Sequence, residues 1–541
     1  MSITQERSVK RESSSSSAPS VATKPHVWRL LALAICLVVN IGINAGFLLF
    51  PTHPAGPYMP FLLFFMLGFV PYLAACFIVL KLKPQPGRWR FVELGLILGG
   101  ALMLRAMLLS VNPYLSPDSW RYLWDARVTL LGYSPYATIP ENPAFAHLQD
   151  TIYAHMAFRN TPTAYPPGAQ AIYILSYLIA PSNLVVLKAI FMIFDLATCA
   201  GLAWFLHHRG LDFARAIVYA WCPLPVIEFA IQGHLDALTL SFMMLAVICS
   251  LGNWRGSRAL TGFLVAAATL TKFYPIVLLV VVMRRRDWVL VGTCFATIVL
   301  AYVPYLILGH GQIFGFFGTY ANEHTPNAGL VQHVMTWVRN VLGLDKITQL
   351  VWEYTTDILL VGGASLVVLS WRLNGDPDPS GRPNAVVRVT VWLLQRFYKM
   401  LNFRPTLRRD MERAGEHFVG WLRDGHISME AAMLLLIGLV FVASSHVFPW
   451  YTTALLPWIA VLLHPIWTRA KGWNAKALAV ASAWYLPCFS VLHYFIDHGW
   501  SWNVYYAAVY DVVVTGVGVA ILLALRQKER QQHLRQTLQD S

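Results

Sequence analysis

"ALTGFLVAAATLTKFYPIVLLVVVMRRRD", Ala259 to Asp287, is apolar for longer than one membrane crossing yet is interrupted in its middle by Lys272 and Pro275. A span needs about 20 apolar residues. The run follows one basic cluster, "NWRGSR", and ends on another, "RRR". The positive-inside bias wants both ends on the cytosolic side, so the run reads as a hairpin of two short helices meeting at "TKFYP". That reading makes the chain a membrane protein with a lysine at the depth of a helix break.

The rest of the chain agrees. Of its 541 residues 57% are hydrophobic and 13% charged, against about 25% charged in a soluble domain. Apolar runs of about 18 or more residues recur. The net charge of +14 comes from Lys and Arg gathered between those runs, which suits membrane topology and anionic lipid headgroups rather than nucleic acid. The seven cysteines stand singly in or beside apolar runs with no CxxC pair, so they read as small hydrophobes and not as disulfides or zinc ligands.

The expected architecture is an all-α polytopic membrane protein of about 12 to 14 transmembrane helices with helices in its external loops. Residues 1–26, serine-rich and basic, read as a disordered cytosolic tail. Residues 27–371 form a transmembrane module with external loops at 111–167 and 309–346. The basic, amphipathic stretch 372–427 reads as lying on the inner leaflet, 428–525 supplies the last spans, and 526–541 is a basic cytosolic tail. The run Gly168 to Ala180 is too short to span untilted and is expected to be re-entrant or bent. Both termini come out cytosolic, in a plasma membrane and a bacterial one by preference.

The first external loop carries the chemistry. In "NPYLSPDSWRYLWDARVTLLGYSPY", Asn112 to Tyr136, helical spacing puts Asp118, Arg121, Tyr122 and Asp125 on one face. Trp120, Leu123 and Trp124 form an apolar, interface-seeking face between them. The plain alternative is that Asp118 caps the helix and Asp125 pairs with Arg121 at i+4. Gln232, His234 and Asp236 lie near the outer end of a span pair, Lys272 at the hairpin break, and His446, Trp450 and Tyr451 at another outer turn. His324 and Arg339 lie in the second external loop. Ionisable groups in or beside an apolar layer are functional candidates, although His234 and His446 could each bond a backbone carbonyl and Lys272 could snorkel. A carboxylate acting as general base, with Lys, Arg and His neutralising a departing phosphate, suits glycosyl transfer from a lipid phosphate.

These residues resemble something known. "SPDSWRYLWDARVTLLGYSPY" is similar to the D-x-x-x-Y then G-x-x-P-Y pattern in the first external loop of the glycosyltransferase C superfamily, and "TPTAYPPGAQAIY" resembles the YPP-x-x-Q segment that follows it. "GHLDAL", "TKFYP" with its trailing "RRR", and "HVFPWYTTALLPW" look like elements of the polyprenyl-phosphate-mannose-dependent mannosyltransferases. The resemblance implies that Asp118 is the catalytic base, with Asp125 as fallback. It further implies that Tyr165, Pro166 and Pro167 shape the site wall, that Gln170 contacts substrate, and that Lys272, His446 and Tyr451 meet the donor's phosphate or sugar. The implied reaction is inverting, on the extracytoplasmic face, with no cofactor and no metal required. The partners implied are a polyprenyl-phosphate sugar, mannose by preference, a glycan, glycolipid or protein acceptor, and membrane lipids. The stretch 372–427 lies outside the pattern. Two other classes compete: a transporter or flippase using Lys272 and Asp195 along a path, and a non-catalytic envelope scaffold.

Overall fold

The computed structural model describes residues 26–49, 58–316, 319, 327–376, 381–400, 405–470 and 472–540. The sequence-expected tail at 1–26 falls, but for His26, outside them, as does His324.

The protein is an all-α polytopic membrane protein. Among the described residues seven helices are long and apolar enough to cross a bilayer: Val27–Phe47, Met59–Lys81, Leu184–His208, Trp288–Leu308, Lys346–Asn374, Ala475–Ile496 and Trp502–Leu534. An eighth crossing arises if Phe213–Ala220 and Pro223–Ala230, bent by 55°, count as one broken span. This is fewer than the about 12 to 14 expected from hydropathy, and the reason is local. Pro167–Ile179, Asp236–Ser250 and Met429–Ala443 are apolar but short. Trp89–Ala106 carries Arg90, Glu93 and Arg105.

Glu93 and Arg105 are buried and answered, while Arg90 is exposed. Arg29 Nε donates to Glu93 Oε1 at 2.6 Å and its Nη2 to Asp212 Oδ2 at 2.7 Å. Arg105 pairs with Asp195, and Tyr219 donates to the other oxygen of that carboxylate. Neither Arg105 nor Asp195 is exposed. Each partner stabilises the other's charge where water cannot, which engages Asp195 in joining two helices.

The hairpin expected at "TKFYP" forms as Ser257–Thr269 followed by the short turns Tyr274–Val277 and Leu278–Val282. Pro275, which lacks an N–H, sits where a continuous helix would need one. Pro167–Ile179, the segment expected to be re-entrant or bent, is an unbroken helix of 13 residues. Its N-terminus docks on the hairpin break: Ala169 N–H donates to Leu270 O at 3.0 Å. A Cβ on Gly168 would lie 2.8 Å from Leu270 Cβ and 2.9 Å from Leu270 O. Only glycine admits that approach.

Two cores result. The larger lies within the spans. The smaller packs Tyr122, Leu123 and Trp124 of the first loop against Phe145, Ile152, Ala169, Tyr173, Leu187 and Phe229. The loop is therefore a folded cap. Trp124, expected to seek the membrane interface, is instead buried against Phe145 and Tyr153, while Trp120 stacks on His155. Residues 385–424 form two amphipathic helices, Ala385–Met400 and Pro405–Asp424, packed on each other and on Gly363–Asn374. Trp392, Leu393 and Trp421 remain exposed.

Candidate functional site

The loop helix Asp118–Leu130 starts where Pro117 ends the preceding turn. Its entry is held from below. Gln232 Oε1 accepts N–H bonds from Tyr114 and Leu115 at 2.8 Å each, and Lys188 Nζ donates to Val111 O at 2.5 Å. Gly233, at φ +71°, turns the chain beneath Ser119 and Lys188, where a Cβ would come within 3.2 Å of each. These contacts set Asp118 between the loop and the span ends.

Around Asp118 the sequence candidates divide into two groups. In the first, Tyr165 OH donates to Asp118 Oδ2 at 3.2 Å, and His234 Nδ1 lies 3.9 Å from the same oxygen. Lys272 Nζ donates to Asp236 Oδ1 at 2.8 Å and stands 3.5 Å over the Tyr451 ring. Trp450 stacks on His234 at 3.8 Å and on Phe448 at 4.6 Å. Phe448 in turn faces His446 at 6.1 Å. Tertiary folding thus joins the loop, the 231–236 turn, the hairpin break and the 446–451 turn.

The second group braces the cap. Arg121 donates to Asp125 Oδ1 at 2.7 Å, to Phe158 O at 2.7 Å and to Thr161 O at 3.0 Å. Gln170 Nε2 donates to Asp125 Oδ2 at 3.1 Å and to Thr163 Oγ1 at 3.2 Å. Tyr122 stacks on Tyr173 at 4.5 Å. All six side chains are buried, so Arg121, Tyr122, Asp125 and Gln170 hold the loop to the 161–170 segment. Gln232, too, is spent on the loop entry. Arg339 is half-buried on Leu330–Leu342 and donates to its neighbour Asn340 at 3.4 Å, with no described contact to the Asp118 group.

Exposure separates the carboxylates. The Asp118 side chain is 20% exposed, whereas Asp125, Glu228 and Asp236 are at 1% or less. Burial raises the Asp118 carboxyl above its ordinary value, opposed by the Tyr165 hydrogen bond and the Lys272 charge. Burial also pushes His446 down to about 4, so its ring is neutral at pH 7 and offers a hydrogen bond rather than a charge.

Two buried groups here escaped the sequence reading. Glu228 faces His234 Nε2 at 3.3 Å and accepts from Tyr494 OH at 2.8 Å. Lys188 anchors the loop. Both are ionisable residues within apolar runs, the signal that singled out the others.

Residues 163–395 match the model of Glycosyltransferase family 87. The matched span is under half of the chain. It takes in Tyr165, Gln170, the 231–236 turn and Lys272, and leaves Asp118 and His446–Tyr451 on either side. No curated protein and no solved structure matches the chain. The family match supports a membrane glycosyltransferase.

Proposed function

We propose that this membrane glycosyltransferase moves a sugar, mannose first among candidates, from a polyprenyl-phosphate donor to an acceptor hydroxyl on the extracytoplasmic face, with inversion, and that Asp118 is its general base. The observation that carries the reading is the exposure of Asp118. It alone of the four carboxylates gathered here is open to a substrate, and it faces Tyr165 and His234 with the Lys272 charge acting on it.

In this reaction Asp118 takes the proton of the acceptor hydroxyl, and the oxygen attacks the anomeric carbon from the side opposite the phosphate. The C–O bond to the phosphate breaks, and polyprenyl phosphate leaves with the electron pair. Tyr165 orients the base. Lys272, fixed by Asp236 beneath the Tyr451 ring, keeps ammonium donors for the leaving phosphate. His446 gives that phosphate or the sugar a hydrogen bond, and Trp450 with Tyr165, Pro166 and Pro167 walls the site. Charge on the leaving group is met by Lys272, so the reading calls for no metal or cofactor. A donor whose tail stays in the bilayer suits an apolar groove below a polar cap.

The test incubates purified full-length protein with a panel of polyprenyl-phosphate hexoses and glycan, glycolipid and peptide acceptors, following products by mass spectrometry. Asp118→Asn is expected to lower transfer by about 10²-fold or more while donor binding persists. Unchanged transfer in that variant would remove Asp118 as the base, and no product from any pair would overturn the reading.

A further inference from the structure

We propose that the helix Ala385–Met400 is a foot that docks on the bilayer and selects anionic phosphodiester headgroups, with Arg388, Arg396 and Lys399 as the residues that hold them. The proposed reaction leaves the stretch 372–427 unused, and the foot keeps its role whichever sugar the enzyme moves.

The fold fixes the foot at the level of the headgroups. It packs on Gly363–Asn374, the end of the crossing Lys346–Asn374. Arg372 and Asn374 close the apolar run of that crossing, so its last turn lies where the bilayer meets water. Asn384, one residue before the foot, donates through Nδ2 to Ser370 O at 3.2 Å and to Asn374 Oδ1 at 2.8 Å. The companion helix Pro405–Asp424 is tied to the same turn: Ser370 Oγ donates to Leu422 O at 3.1 Å, and Asn374 Nδ2 to Leu422 O at 2.9 Å. Arg285, in the basic cluster that closes the hairpin, donates through its N–H to Asp376 Oδ2 at 2.9 Å and through Nε to Leu373 O at 3.2 Å. The foot therefore stands at the end of a crossing, on the same side as the "RRR" cluster.

Its two faces differ. Val387 is buried against the protein, whereas Val389, Trp392, Leu393 and Phe397, at i, i+3, i+4 and i+8, are left 43–55% exposed. Helical spacing makes those four one stripe. Arg388 and Lys399 line its edge beside Trp392, and Arg396 lies within it with its guanidinium 4.4 Å from the Trp392 ring centroid. All three cations are exposed, and no Asp or Glu occurs from Ala385 to Met400. An interfacial helix works in this way, with rings and aliphatic groups in the acyl boundary and long cationic side chains reaching up to the phosphates. Charge decides the occupant. A second copy of the chain would set these cations against their like. An anionic leaflet attracts each of them, raising the ratio of docked to undocked foot by about fivefold per cation.

The test uses the full chain in nanodiscs of equal phosphatidylglycerol and phosphatidylcholine, with an environment-sensitive fluorophore on Leu393→Cys and the reagent-treated wild-type chain as blank. A nitroxide is carried on the acyl chain of one lipid or of the other. Quenching by the labelled phosphatidylglycerol is expected to exceed that by the labelled phosphatidylcholine by about twofold or more. The preference is expected to vanish in the triple variant Arg388→Gln, Arg396→Gln, Lys399→Gln, which should melt as the wild type does because the three side chains are exposed. Should that variant fail to fold, about 0.5 M NaCl is expected to remove the preference from the otherwise unaltered chain. A label quenched by neither lipid overturns the docking, and cross-linking of two copies through Leu393→Cys would then assign the stripe to a chain–chain interface. Equal quenching by the two lipids at low salt overturns the headgroup selection, as does a preference that survives both loss of the cations and added salt.

Discussion

Asp118 and Asp125 lie seven residues apart on one helix face, and nothing in their spacing separates a base from a brace. Their neighbours do. Asp125 is enclosed by Arg121 and Gln170, the i+4 pairing that was the plain alternative from the start. Removing one partner of a buried pair leaves the other charge uncompensated, at a cost of about 3–5 kcal/mol. Asp125→Asn is therefore expected to lower the melting temperature in detergent and the folded yield. Transfer should fall only in proportion to the protein that remains folded. An Asp125→Asn protein that melts like wild type but has lost transfer would move the base from Asp118 to Asp125.

Short and broken helices position the pocket more than long spans do. Pro167–Ile179 starts on the hairpin break through Gly168, and the 213–230 pair of helices bends so that Glu228 and the Gly233 turn reach beneath the loop. Gly168→Ala would force its Cβ against the Leu270 backbone and side chain, a kind of overpacking that costs about 1–3 kcal/mol. The expected outcome is a lower melting temperature together with weakened transfer, because Tyr165 and Gln170 ride on the same segment. Wild-type melting and transfer in Gly168→Ala would show that this contact does not position the site.

The proposed orientation of the molecule rests on where its basic clusters fall. Lys81, Lys83, Arg88 and Arg90 cap one end of the first spans, Arg284 to Arg286 follow the hairpin, and Arg388 and Arg396 lie on the amphipathic pair. On the proposed orientation, which rests on the positive-inside bias, all of these lie in the cytosol and the 111–167 cap outside. Cysteines introduced at Asn142 and Gln395, both exposed, test this against the wild-type chain as blank. An impermeant maleimide added to intact cells is expected to label Asn142→Cys and to label Gln395→Cys only after lysis. The opposite pattern would put Asp118 in the cytosol and end the extracytoplasmic reading.

The amino-acid sequence alone establishes the membrane class, the break at "TKFYP" and the concentration of ionisable groups near span ends, because hydropathy, proline and charge act locally along the chain. It also marks Asp118, His234, Lys272 and Tyr451 as candidates, since a charge or ring beside an apolar layer is legible in one dimension. Their assembly is not legible there. Asp118 and Trp450 are more than 300 residues apart, and only packing brings them both to one imidazole. Packing likewise buries Trp124 instead of leaving it at the interface, spends Arg121, Asp125, Gln170 and Gln232 on the cap, and brings in Glu228 from a broken span. Burial and partnership are properties of three-dimensional contact, and they decide which of several chemically equivalent side chains is left free to react.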